Sequence, residues 1–270
     1  MQVAPSLPLR GFVKHYLMID QQAPKEPLYR FFPDGNPGLV FSYADPLLEY
    51  APQKPVSGPV NHFMYGQASQ YHDLKAGKAI GLLIVVLQPW GLHVLSGVPG
   101  TLTLNARLSL DQLFKPDWVD ALQTRLMACS THQARIRELD TFLGKLIPVC
   151  LTPEAALIQR AVQRIDQANG LLPVSQLTEG LYITERSLER RFEQVMGIGP
   201  KQFSRIVRLQ RCLKLHRQTP TLSLTELAYS AGYYDQSHFI REFGLLAGIT
   251  PKQYEANTNR LAANLTPLAP

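Results

Sequence analysis

The sequence predicts an α+β chain, in which a small β-barrel with a helical pair precedes an all-α domain of two helix-turn-helix units joined by a long helix. Three observations carry this. Short apolar runs separated by turn signals fill the first hundred residues. The apolar spacing then becomes helical. From Val174 to Tyr254 one pattern is written twice. Its first copy holds Leu188-Glu189-Arg190-Arg191-Phe192 and Gly197-Ile198-Gly199-Pro200-Lys201-Gln202-Phe203. Its second holds Phe239-Ile240-Arg241-Glu242-Phe243 and Gly248-Ile249-Thr250-Pro251-Lys252-Gln253-Tyr254, each pair 51 residues apart. That period suits one supersecondary unit and its connector.

Taken in order, Phe12 to Ile19, Tyr29 to Phe32, Leu39 to Tyr43, Phe63 to Tyr65 and Ile80 to Leu87 read as strands, and turn signals such as Pro33-Asp34-Gly35-Asn36-Pro37-Gly38 punctuate them. Several short strands of this kind build a small barrel or sandwich. An aromatic-lined barrel mouth with one or two polar groups suits a small molecule, and Tyr16, Arg30, Tyr65 and Trp90 are candidate effector contacts by residue type. Packing alone also accounts for such residues. His15, His62, His72 and His93 are isolated, with no two at ligand spacing, so no metal and no cofactor is expected.

Helical spacing follows Trp90. Gly91 to Gly97 reads as one or two turns, and Leu110 to Phe114, Trp118 to Cys129 and Ala134 to Val149 as helices, the last two forming a hairpin. The boundaries read from this pattern are a sensing or dimerising domain over 1–148, a linker over 149–153, a helical domain over 154–260 opened by the helix Glu154 to Asn169, and a flexible tail over 261–270.

In the first repeat, Leu177 and Leu181 mark a short helix, Tyr182 and Ile183 a turn, and Thr184 an N-cap before Leu188, Phe192 and Val195. In the second, Leu224, Leu227 and Ala228 mark the short helix, Gly232 supplies the turn, and Asp235 caps a helix that buries Phe239 and Phe243. A helix-turn-helix lays its second helix in the major groove of DNA, reading bases near that helix's N-terminus. The candidate base-reading residues are therefore Arg186, Glu189 and Arg190 in the first unit and Gln236, Ser237, His238 and Arg241 in the second. Thr184, Lys201, Arg205 and Lys252 are placed for phosphate. A solvated helix face would show similar charges. Between the units, Lys201 to Arg217 carries six basic residues and no acidic one, on a helix about 25 Å long. That suits two recognition helices in successive grooves, roughly 34 Å apart.

Residues 153 to 256 resemble the DNA-binding domain of the AraC/XylS family of transcriptional regulators. The resemblance is most specific from Ala228 to Tyr254, where Gly232-Tyr233, Asp235-Gln236-Ser237, Phe239, Arg241, Phe243, Gly248, Thr250-Pro251 and Tyr254 fall at family positions. Thr178 stands where a small alanine is usual, Tyr182 at the usual turn glycine, and Gly244 and Ala247 where a basic residue and an aromatic are usual. A glycine inside a helix costs about 1 kcal/mol relative to alanine, so the end of the second recognition helix is expected to be loose. The resemblance implies a sequence-specific transcriptional regulator that is not an enzyme, with double-stranded DNA as partner, a cupin-like N-terminal domain, a small-molecule effector, and RNA polymerase as partner if it activates. It also implies a homodimer formed through the helical hairpin, the alternative being that this helix pair covers one face of the barrel. Control by a protein partner or by abundance alone is the first alternative. The second is an enzyme or DNA-repair domain fused to such a DNA-binding half, although Cys129, Cys150 and Cys212, with gaps of 21 and 62, cannot make the four-cysteine zinc cluster of that repair group.

Composition agrees with this reading. The chain has 270 residues, 45% of them hydrophobic, without an apolar run long enough to span a membrane or a secretory pattern, so a cytoplasmic, nucleoid-associated protein with reduced thiols is expected. Of the net charge of +6, residues 153 to 260 hold 14 Lys and Arg against 10 Asp and Glu, or +4.

Overall fold

The computed structural model describes residues 1–22, 28–50, 61–148, 150–257 and 260–268. Its strands are β1 (Gln2–Val3), β2 (Val13–Gln22), β3 (Leu28–Phe31), β4 (Gly38–Ser42), β5 (Leu48–Tyr50), β6 (His62–Tyr65), β7 (His72–Lys75), β8 (Ala79–Leu87), β9 (Arg107–Ser109) and β10 (Leu265–Pro267). They form a six-stranded antiparallel sheet in the order β1-β2-β8-β4-β6-β9 and a four-stranded one in the order β10-β3-β7-β5. The small barrel or sandwich expected from the sequence is built as these two antiparallel sheets, which do not close into a barrel. The strands of the smaller sheet are three or four residues long, too short to wrap onto the long β2–β8 pair.

The larger sheet is buried on both faces, and strand alternation sorts its side chains between them. From β2, Tyr16 and Met18 point to the outer face and Leu17 and Ile19 to the inner; from β8, Leu83, Val85 and Leu87 point outward and Ile80, Leu82, Ile84 and Val86 inward. This explains the nearly unbroken apolar run of β8, whose partner β2 lies in register from Val13↔Leu87 to Gln22↔Ala79 with an irregularity at Lys14. The outer face is covered by α3 (Pro116–Ala128) and α4 (His132–Leu146), which follow α1 (Gly91–Ser96) and α2 (Gly100–Thr103). Leu110–Gln112 is a single 3-10 turn rather than the expected helix. α4 stops before Ile147, which is extended, as a residue preceding proline should be.

The C-terminal helices are α5 (Pro153–Gln167), α6 (Val174–Leu177), α7 (Glu185–Met196), α8 (Pro200–Gln218), α9 (Leu224–Ser230), α10 (Gln236–Ala247) and α11 (Pro251–Ala256). Units α6–α7 and α9–α10 are joined by α8, whose 19 residues span about 28 Å. One core built on Ile158, Phe192, Phe203, Leu209, Phe239 and Phe243 runs through both units. Phe32 and Trp90 of the N-terminal part join the same core, and Phe32 meets Tyr254 edge to face at 6.1 Å. In the segment read as a flexible tail, β10 pairs with β3, Leu265 opposite Phe31 and Thr266 opposite Arg30. Thr266 is fully buried there.

Candidate nucleic-acid interface

Each recognition helix begins with a side-chain cap. Thr184 accepts from the Ser187 N–H at 3.2 Å, and Asp235 accepts from the His238 N–H at 2.7 Å. The first turns beyond the caps are open to solvent. Arg186 and Arg190 are exposed on α7; Ser237, His238 and Arg241 are exposed on α10. Gln236 is half-buried, its amide oxygen accepting from the Thr225 hydroxyl at 2.8 Å, which ties the start of α10 to α9.

Between the units lies a cleft of about 720 Å³ with α8 as its floor. It brings together Lys201, Arg205, His238 and Arg241, four residues singled out from the sequence on two different helices. Lys252 and the first-unit residues Arg186, Glu189 and Arg190 do not line this cleft.

Two expectations change on geometry. Glu189 is half-buried and its carboxylate lies against Gly199, the N-cap of α8, so closely that a side chain there would overlap it. Burial and the neighbouring Glu193 push its carboxyl above the usual range. It sits at the positive end of the α8 dipole rather than on the open face of α7. Arg205, expected at phosphate, is also part of an ion pair. Its Nε donates to Glu242 at 2.9 Å, and Arg208 donates to the same carboxylate at 3.1 Å. Glu242 is 5% exposed, so two arginines of α8 neutralise one buried acid of α10. Arg208 also stacks over Tyr233 at 4.8 Å, and His238 meets the edge of that ring. Spacing alone did not reveal this hub, because Glu242 occupies the helical position after Arg241 and reads as surface.

The first unit is held differently. Arg164 of α5 donates to the carbonyls of Gln176, Leu177 and Glu179, at the C-terminus of the four-residue α6. The second unit's α9 starts instead with a reciprocal capping box between Ser223 and Glu226.

A second cavity, of about 780 Å³, lies between the two sheets and is closed on one side by α8 and residues 261–265. Leu17, Phe31, Val40, Phe63, Leu82 and Ile84 supply apolar wall. Asp34, Tyr65 and Arg107 supply polar groups. Burial raises the Asp34 carboxyl and the Tyr65 hydroxyl above their ordinary values and pushes the Arg107 guanidinium down to about 10. Arg107 stacks over Phe63 at 3.7 Å and donates to the Leu47 carbonyl.

Of the four effector contacts expected from residue type, Tyr65 lines this cavity. Tyr16 points to the other face of β2 and donates to Asp140 of α4. Trp90 is buried in the helical core and donates to the Gly11 carbonyl at 3.0 Å. Arg30 points away from the cavity, because its neighbour Phe31 points in. Two bonds to Asp73, at 2.7 and 2.8 Å, hold it, and it donates to the Gly248 carbonyl at 2.5 Å. Among the described residues no cluster of three or more His, Cys, Asp and Glu could hold a metal, and no helix is long and apolar enough to cross a membrane.

Residues 177–257 match a family described as a helix-turn-helix domain, and residues 1–109 match one described as a domain of unknown function. The chain is similar to the HTH-type transcriptional regulator MtrA of Neisseria gonorrhoeae, 30% identical over 98 residues, which cover 36% of this chain and 31% of that one. It is also similar to the "Probable thc operon regulatory protein" of Rhodococcus erythropolis, 24% identical over 183 residues, 66% of this chain and 51% of the relative. The chain thus spans a third to a half of the length of these curated relatives. Among solved structures, ToxT from Vibrio cholerae O395 has the same fold over 92% of this chain and 98% of its own, with a TM-score of 0.52 at 11% identity. ToxT bound to an unsaturated fatty acid, from strain SCE256, aligns over 89% of this chain and 94% of its own, with a TM-score of 0.51 at 10% identity.

Proposed function

We propose that this chain, which belongs to the AraC/XylS family through its C-terminal double helix-turn-helix domain, is a sequence-specific transcriptional regulator that reads two successive major grooves of double-stranded DNA. The observation that carries this reading is the pair of capped recognition helices whose first turns are both open to solvent, beside a cleft where Lys201 and Arg205 of α8 meet His238 and Arg241 of α10. Arg186 and Arg190 on α7 and Gln236, Ser237, His238 and Arg241 on α10 are the base-reading candidates, arginine being suited to guanine and glutamine to adenine. Lys201, Lys252 and the hydroxyl of Thr184 serve phosphates and set register. Arg205 contributes its charge from within the Glu242 pair, and Glu189 orders the α7–α8 junction.

The test is selection of bound DNA from a random pool by the full chain at fixed salt, since phosphate contacts make affinity salt-dependent. Two enriched blocks about one helical turn apart are expected. Absence of any enriched block would overturn the reading.

The cavity between the sheets supports regulation by a small, largely apolar molecule. Its volume lies within the range of drug-sized ligand sites, and its few polar groups sit on apolar walls. ToxT, which shares the fold, has been crystallised with an unsaturated fatty acid and with (E)-4-(8-methylnaphthalen-1-yl)but-3-enoic acid. For this chain the matching class is an apolar body with one acidic end directed to Arg107. Thermal unfolding with a panel of long-chain acids tests it, because a ligand at 100 times its Kd adds about 2.7 kcal/mol. No shift with any of them would favour control by a protein partner or by abundance. The same samples, measured across protein concentration, would reveal a homodimer as a concentration-dependent melting temperature.

A further inference from the structure

The two recognition helices end on equivalent glycines. Gly197 caps α7 and Gly248 caps α10, 51 residues apart in the repeat, both left-handed at φ +83° and +65°. The N-terminal domain touches both. At the first, the backbone of Gly100 in α2 packs so closely that a Cβ at Gly197 would lie 2.4 Å from the Gly100 carbonyl oxygen. At the second, the Tyr71 ring would lie 2.4 Å from a Cβ at Gly248, and Arg30 donates to its carbonyl. The Arg30 side chain is itself fixed, doubly bonded to Asp73 and stacked over Tyr71 at 4.0 Å. Both grips are rooted in the cavity wall, since Phe31 adjoins Arg30, and Gly66, which lines the cavity, packs on Thr103 of α2. They hold the C-terminal ends of the helices and leave the N-terminal turns, where bases are read, uncovered.

We propose that the N-terminal domain sets the spacing of the two recognition helices by gripping the same point on each, with Arg30 as the positioning residue of the second grip; this rests on the DNA-reading function above. Two binding modules on a rigid frame favour one separation of their targets, and a looser frame tolerates several. Arg30 therefore acts on DNA without touching it. It selects the separation of the two blocks rather than their bases.

The experiment compares the full chain with Arg30→Met, Asp73→Asn and Arg30→Lys on duplexes carrying the two selected blocks at their native separation, at one or two base pairs more or less, and singly. Wild type should lose about tenfold in affinity on a shifted duplex, whereas Arg30→Met should lose about twofold and bind a single block as wild type does. Asp73→Asn should fall between them, and Arg30→Lys should restore part of the selectivity. A residue that only supports the fold would lower melting temperature and leave the separation profile unchanged, and that result would overturn the proposal while leaving the regulator reading intact.

If wild type enriches no DNA, the regulator reading falls and a distance measurement decides the grip alone. Nitroxides on Gln194→Cys and Leu245→Cys, with Cys129→Ser and Cys150→Ser, report α7 to α10 directly. Cys212 is buried with its thiol pushed up to about 12 and does not label. A distance distribution broadened by Arg30→Met supports the grip, and one unchanged by it overturns the grip.

Discussion

The two helix-turn-helix units share a pattern but not the chemistry that holds them. In the first, an arginine from α5 clamps the end of α6, and the turn runs through Tyr182, a non-glycine residue at φ +54° with 98% of its surface exposed. In the second, a capping box starts α9, the turn uses Gly232 at φ +79°, and the buried Glu242 fastens α10 to α8. The position equivalent to Glu242 in the first unit is the half-buried Arg191. A repeated sequence thus fixes where the helices lie, while each copy finds its own polar anchors.

The largest effect should separate the units at that position. Glu242→Ala strands Arg208 and Arg205 and should cost about 2 to 3 kcal/mol in urea unfolding, below a fully buried pair because Arg205 keeps part of its side chain in water. Arg191→Ala should stay within about 0.5 kcal/mol. Equal costs would remove the asymmetry.

Function should be more symmetric than stability. Arg186→Ala and Arg241→Ala should each weaken specific binding by about 1 to 3 kcal/mol and relax preference at one base pair. If either substitution weakens all sequences alike, that arginine contacts phosphate and only the other unit reads bases there.

The turns should respond in opposite directions. Gly232→Ala places a Cβ 2.4 Å from the Leu171 side chain in a left-handed conformation and should destabilise by about 1 to 3 kcal/mol. Tyr182→Gly relieves a left-handed strain and, after the entropy glycine loses on folding, should stabilise by about 1 kcal/mol. Thermal melts of both variants test the pair. A Tyr182→Gly variant less stable than wild type would show that the exposed ring contributes more than the strain removes.

The smallest effect lies at the end of α10. This helix runs unbroken to Ala247 despite Gly244, and nothing lies within 4 Å of a Cβ built there. Gly244→Ala should therefore stabilise by up to about 1 kcal/mol. Amide exchange in the last turn of α10, slowed by that substitution, would confirm the gain.

The helical half was legible because Leu188, Phe192, Phe239 and Phe243 repeat at helical spacing and Thr184 and Asp235 cap where capping chemistry demands. The long strands β2 and β8 were legible as apolar runs bounded by turn signals. β5, β7 and β10 were not, since Leu-Glu-Tyr, His-Asp-Leu-Lys and Leu-Thr-Pro are too short and mixed to show a period. Alternation says that Arg30 and Phe31 face opposite ways, and Tyr16 and Leu17 likewise, but it does not say which of them faces the cavity. The Glu242 hub and the Arg30 contact join residues 34 or more positions apart, and no local pattern encodes such meetings.

β10 has a further consequence, for the order in which the molecule is made. The helical domain is inserted between β9 and β10, so β3 keeps an unpaired edge, and the cavity a missing wall, throughout synthesis of both helix-turn-helix units. Domains emerge N-terminus first, and a bare strand edge is a template for wrong pairing. The smaller sheet therefore gains its last strand only after both helix-turn-helix units have been made, although its other strands are translated before them.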